Sequence, residues 1–147
     1  MPQSSEVAYC GLFCGDCIIR NGKIGELSSK LLESIEKSDF QKLTMGLPEV
    51  MPGFEPLKDY QTLKRSLVAM TKLDCAKLCK EGGGSTACRI KKCCAEKSIE
   101  GCWDCDDFAD CETLAWLNPV HSGANVHNIE RIRRIGLKLF LKGPKCW

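Results

Sequence analysis

Neither sign of charge dominates this sequence: 21 basic side chains face 19 acidic ones, a formal net charge of +2. So even a balance creates no global field for nucleic acid or anionic lipid. Long apolar runs are missing too, because the longest helical stretches carry a charge every few positions, and no segment reads as a membrane span. The opening MPQSSEVAYC has no basic region followed by an apolar one, which argues against export and for a cytoplasmic protein. Histidine occurs twice, at His121 and His127. Both are remote from the rest of the polar chemistry, so no serine–histidine–carboxylate or cysteine–histidine arrangement can be argued. Strand patterning is confined to a short candidate at Val7 to Tyr9, and no repeat of fixed period occurs.

Cysteine is what the chain has in excess, 12 of 147 residues. That share suggests a cross-linked or metal-clamped scaffold. A disulfide framework needs an oxidising compartment. In a cytoplasmic chain, clustered thiols instead point to metal ligands or redox groups. At this length an ordinary hydrophobic core is available, so the thiols are not needed merely to make a small fold hold together.

The thiols divide the chain. A hook over residues 1–22 contains Cys10, Cys14 and Cys17 and ends at the turn signal Asn21-Gly22. From Lys23 to Lys37 the residues Ile24, Leu27, Leu31 and Ile35 recur at three- and four-residue steps, which predicts a helix with that face on a core. Leu47 to Pro56 carries three prolines and a glycine and is expected to be a loop. A second helix follows, with Asp59 at its cap and Tyr60, Leu63, Leu67 and Met70 as its stripe up to Leu73. Eight cysteines then fall between Cys75 and Cys111, interrupted by Gly82-Gly83-Gly84. Asp106 and Asp107 predict a helix start running through Cys111 and Trp116 to just before Pro119. The last helix is expected from about Val126 to Lys142, closed by Gly143 and Pro144. The expected fold class is mostly α: a single small helical domain, residues 1–147, built around a loop-rich cysteine module with little or no sheet. Its segments are 1–22, 23–73, 74–112 and 113–147.

Written by gaps, the cysteines are Cys10-x3-Cys14-x2-Cys17, Cys75-x3-Cys79, Cys88-x4-Cys93-Cys94, Cys102-x2-Cys105-x5-Cys111 and Cys146. Two or three intervening residues let one tight turn present two thiolates to a single tetrahedral ion. One such pair would be a weak signal; several together are a strong one. The first three thiols share the spacing of the radical S-adenosylmethionine motif. Asp16 stands where that motif has an aromatic residue, and the chain is too short for the partial barrel that such chemistry requires.

The stretches YCGLFCGDC, CRIKKCCAEKSIEGCWDCDDFADC and NIERIRRIGLKLFLKGPKCW together resemble the DUF3795 family, small cysteine-rich prokaryotic proteins of unknown function. The resemblance covers the hook, Cys75 to Cys111 and the final helix, and is loose over residues 23–72. It implies metal binding, with no reaction or substrate attached. By matching position it carries over Cys10, Cys14, Cys17, Cys75, Cys79, Cys88, Cys93, Cys102, Cys105 and Cys111 as metal ligands. Three departures stand out: Cys75-x3-Cys79 is one residue wider than the family pair, Cys105 to Cys111 is one residue longer and lacks a proline, and Cys94 adds a vicinal thiol.

Ten candidate thiols exceed the eight that two closed tetrahedral sites use. One division groups Cys88, Cys93, Cys102 and Cys105, and draws the other site from Cys10, Cys14, Cys17, Cys75 and Cys79. Zinc is the expected cofactor, with an iron–sulfur cluster as the alternative, since thiolates serve both and the ferredoxin-type C-x2-C-x2-C-x3-C-P run is absent. Lys77, Lys80, Arg89, Lys91 and Lys92 lie close enough in sequence to offset thiolate charge. Cys94 and Cys146 are the expected uncoordinated thiols. A metal ion is the expected partner, and a protein partner would suit an interaction role. Arg131, Arg134, Lys138 and Lys142 form a basic stripe for a third reading, nucleic-acid binding. The acidic run Asp104, Asp106, Asp107 and Asp110 opposes it.

Overall fold

The computed structural model describes residues 3–147 and divides the chain into two compact units, Ile18–Asp74 and the combination of Met1–Cys17 with Cys75–Trp147. Nine α-helices and several 3-10 turns account for the regular structure of the described residues; extended pairing is limited to one antiparallel bridge, Val7 with Phe13. The fold is mostly α, as composition and periodicity predicted. No helix among the described residues is long and apolar enough to cross a membrane.

The unit Ile18–Asp74 holds α1 (Ile18–Asn21), α2 (Ile24–Lys37), α3 (Phe40–Val50) and α4 (Tyr60–Met70). Its core is Ile35, Tyr60 and Leu67, with Leu32 and Phe40 packed against them and the Phe40 and Tyr60 rings 6.1 Å apart. The two helices expected here are present, but the buried face of α2 differs from the expected one. Leu27 and Leu31 are 56% and 49% exposed, whereas Gly25, Ser28 and Ile35 are buried. Small side chains let the backbone of Gly25 reach Leu73, to whose carbonyl its N–H donates at 3.2 Å. Close approach has overridden the apolar stripe.

The expected loop at Leu47–Pro56 is also corrected, because α3 runs to Val50 with Pro48 inside it. A proline removes one N–H and crowds the carbonyl four residues back. In the last turn of a helix this costs a single bond, and the ladder resumes when Met51 N–H donates to Leu47 O at 3.0 Å.

The second unit carries the cysteines together with α5 (Arg89–Glu96), α6 (Glu112–Ala115), α7 (Asn118–His121), α8 (Ala124–Ile135) and α9 (Leu137–Lys142). Its core joins Val7 and Phe13 of the hook to Ile90, Cys94, Cys102, Trp103, Leu114, Ile129, Ile132 and Phe140. Two expected helices are corrected. The one predicted from Asp106 begins only at Glu112, because the aspartates pair elsewhere: Asp106 with Arg133 at 3.2 Å and Asp107 with Lys97 at 3.6 Å. It ends at Ala115, ahead of Pro119 as expected, and Pro119 lies in the first turn of the separate helix α7, where a missing N–H costs nothing. The continuous helix from Val126 to Lys142 is broken at Gly136, whose φ of 78° and ψ of 154° lie in a region that only glycine enters readily.

The chain end is latched to this core. Asn128 grips the Cys146 backbone from both sides, its amide donating to the carbonyl at 2.8 Å and its oxygen accepting from the N–H at 2.9 Å. The Trp147 indole N–H donates to Phe13 O at 3.1 Å, and the Lys145 ammonium lies 4.4 Å from the centre of the Phe13 ring. A hook only eight residues from core Val7 to Cys14 is thereby clamped to residues at the far end of the sequence.

Candidate metal centre

The hook is shaped by local bonds. Ala8 N–H donates to Leu12 O at 2.8 Å and Gly11 N–H to Ala8 O at 2.9 Å, so the chain reverses around Cys10. Gly11 makes the reversal with φ +83°, and a Cβ there would lie 2.8 Å from Ile129 Cγ1 and 3.1 Å from Asn125 O on α8. The central segment is tied to the hook when Cys102 N–H donates to Tyr9 O at 2.8 Å. Both C-x2-C pairs fold alike, as 3-10 turns closed by Cys17 N–H to Cys14 O at 3.3 Å and Cys105 N–H to Cys102 O at 3.2 Å. Such a turn is what two thiolates need to face one ion.

Around Cys10 gathers a first group of thiols. Burial pushes the Cys10 thiol up to about 12, and the potential charges of Cys79 and Cys88 add to the effect, while the Leu12 N–H partly offsets it. Cys79 is raised for the same leading reason, burial; Cys14 and Cys88 are among its charged neighbours, and the Tyr9 N–H and Lys91 oppose the rise. Cys10 thus feels Cys79 and Cys88, Cys79 feels Cys14 and Cys88, and Cys10 also raises Cys102, although these thiols stand on separate turns. Cys79 begins a 3-10 turn, and Cys88 stands at the N-cap of α5, where the helix dipole favours an anion.

A second group lines a cavity of about 40 Å³: Cys93, Cys94, Cys102, Cys105 and Cys111, beside Lys97. The Cys94 and Cys102 sulfurs are 3.8 Å apart. Their hydrogen bond is the leading cause that holds Cys94 below and Cys102 above the ordinary thiol range. Burial is the leading cause that raises Cys93, with Cys94, Cys111 and Cys105 adding to it and Lys97 opposing. Lys97 donates to Cys105 Sγ at 3.3 Å, and that hydrogen bond is the main reason its own pKa is raised. Cys111 caps α6.

The donor set is chemically suited to a soft or borderline cation. Among the described residues, however, no three His, Cys, Asp or Glu side chains already close around a point as an ion cage. The thiols are neighbours in two groups rather than a finished coordination shell.

Proximity divides the ten predicted thiols differently from the division drawn by sequence. Cys88 keeps company with Cys10 and Cys79, and Cys111 joins Cys93, Cys102 and Cys105. Cys75 turns its sulfur onto the Lys77 carbonyl at 3.3 Å, and Cys17 closes the hook turn through its N–H. Of the predicted cationic neighbours, Lys91 acts on Cys79, and Lys80, 4.6 Å from the Trp103 ring centre and paired with Glu100 at 3.1 Å, favours the Cys94 thiolate.

One residue at the site, Lys97, escaped the sequence reading, while Cys94, expected as an uncoordinated thiol, is fully buried in the core, four residues after buried Ile90 on one face of α5. Lys97 lies just past that helix and could be found only from the fold. The basic stripe, meanwhile, is split by the break at Gly136, and Arg131 is engaged with Pro144 O and the Phe140 ring.

The family described as "Protein of unknown function (DUF3795)" has a model that matches residues 6–116, which include both thiol groups. No curated protein and no solved structure matches the chain.

Proposed function

The chain belongs to the DUF3795 family, and from that premise we propose that it is a thiolate metal-binding protein, with zinc in two sites that fix the fold around an interaction or regulatory role. The observation that carries this reading is the mutual proximity of thiols from distant turns, Cys10, Cys14, Cys79 and Cys88 in one group and Cys93, Cys102, Cys105 and Cys111 in the other.

Leaving so many thiols close together has a cost that a cation removes. Burial and like charge oppose ionisation of Cys10 and Cys79 in the metal-free chain, and a divalent ion reverses both terms. Four thiolates on Zn2+ leave a net charge of −2. Lys91 near the first group and Lys97 on Cys105 offset part of it, and the N–H groups of Leu12 and Tyr9 donate to the sulfurs of Cys10 and Cys79. Zinc in such a set would add to the shared core of these segments, because the binding energy becomes folding energy.

Protein purified without oxygen tests this directly. A colourless sample with about two zinc per chain supports the reading, whereas brown colour with iron and sulfide refutes zinc in favour of a cluster. Cys102→Ser should release metal and loosen the cysteine unit; a stable, metal-replete variant would remove Cys102 from the ligand set.

A further inference from the structure

Cys94 is left over by the four-and-four division, yet it is no idle surface thiol. It is fully buried, packed in the core with Ile90 and Leu114, and its sulfur stands 3.8 Å from that of Cys102. Five cysteines therefore line the cavity of the second group, where a tetrahedral ion needs four sulfurs. Cys102 faces two alternative partners, a metal ion or the Cys94 sulfur.

We propose that Cys94 and Cys102 are an oxidation site for a hydroperoxide, and that closing their disulfide withdraws Cys102 from the second metal site. A disulfide is about 2.05 Å long, so the two sulfurs must close a gap of less than 2 Å. The pair is eight residues apart, and the intervening turn is already closed by Ile99 N–H to Cys94 O at 3.1 Å. Both residues line the same small cavity, so a peroxide admitted to it would meet either thiol.

The reaction balances with the peroxide as oxidant. One thiol takes an oxygen from the hydroperoxide, becoming a sulfenic acid while the peroxide leaves as water or an alcohol. The second sulfur then attacks that sulfur, forming the S–S bond and expelling water. Two thiols lose two electrons and two protons, and one peroxide O–O bond is reduced. Cys93, Cys105 and Cys111 remain, one ligand short of a closed site.

The metal-release half rests on the zinc reading; the disulfide half does not. The test is addition of one equivalent of hydrogen peroxide to the full reduced chain, with thiol counting, zinc release to a chromogenic chelator, and fragment mass spectrometry that separates Cys93 from Cys94. Two thiols should be lost per chain, the linkage should map to Cys94–Cys102, and about half of the bound zinc should appear in solution. If the reduced protein binds no zinc, the zinc reading fails while the mapped linkage still stands or falls alone. A linkage between other cysteines, or oxidation of Cys94→Ser and Cys94→Ala at the wild-type rate, overturns the proposal. The mapping uses the wild-type chain, so it decides even if both variants fold poorly.

Discussion

Replacing Gly11 with alanine should separate two effects that act on the hook. The residue has φ +83°, and the added methyl would meet Ile129 Cγ1 at 2.8 Å and the Asn125 carbonyl at 3.1 Å. Left-handed backbone costs a non-glycine residue about 1–2 kcal/mol, and forcing a methylene into a packed core about 1–3 kcal/mol. The stiffer unfolded chain returns roughly 0.4–1 kcal/mol. Ile129 is fully buried and the second contact is backbone, so neither neighbour yields easily. The net expectation is a loss of about 2–4 kcal/mol.

Gly136→Ala is the matched control. Its φ is 78°, but a methyl there meets nothing within 4 Å, so only backbone strain applies, about 1–2 kcal/mol after the same return. Denaturant titration followed by tryptophan fluorescence is the suitable assay, because Trp103, Trp116 and Trp147 all lie in the cysteine-bearing unit. Gly11→Ala should be the more damaging by roughly 1–2 kcal/mol. On the zinc reading proposed above it should also weaken metal retention, because the turn it disturbs carries Cys10. Equal losses in the two variants would show that the contact with α8 is not what fixes the hook.

Three further outcomes are expected. Phe140 is fully buried at the centre of the core, so Phe140→Ala should cost about 3–5 kcal/mol in the same titration. Asn128→Ala removes both bonds to the Cys146 backbone, and should both destabilise the unit by about 1–3 kcal/mol and let carboxypeptidase trim the last residues faster than in the wild type. His121 has its pKa lowered by burial, and its buried Nδ1 finds no partner among the described residues. The unfolded chain therefore binds the proton more readily than the folded one. Stability should fall as pH drops below about 6.5, and His121→Phe, which keeps an aromatic ring near Trp147, should show a shallower fall over that range; an identical slope would refute it.

Several features of this protein were legible in the order of its residues. Repeats at three and four residues gave helices over Ile24–Lys37 and Tyr60–Met70 because periodicity depends only on neighbours along the chain. The two C-x2-C turns were likewise local, closing through bonds three residues apart. Helix ends were less legible: Pro48 sits inside α3 and Gly136 divides α8 from α9, because a proline or glycine marks a disturbance without saying which side of it the packing will tolerate. The face of α2 was misjudged for a related reason, since Gly25 and Ser28 are buried by close backbone approach and carry no hydrophobic signal.

What sequence alone determined was the inventory: a mostly helical chain with thiols in closely spaced pairs and no other plausible reactive set. Which thiols are neighbours was decided only by tertiary structure, because Cys88 joins Cys10 and Cys79 through a chain reversal that no spacing encodes. The same holds for Cys94, whose burial follows from the face of α5 that meets the core, and for Lys97, which reaches Cys105 across eight residues of turns. Pair spacing fixes how two sulfurs can share one turn; only packing fixes which turns meet.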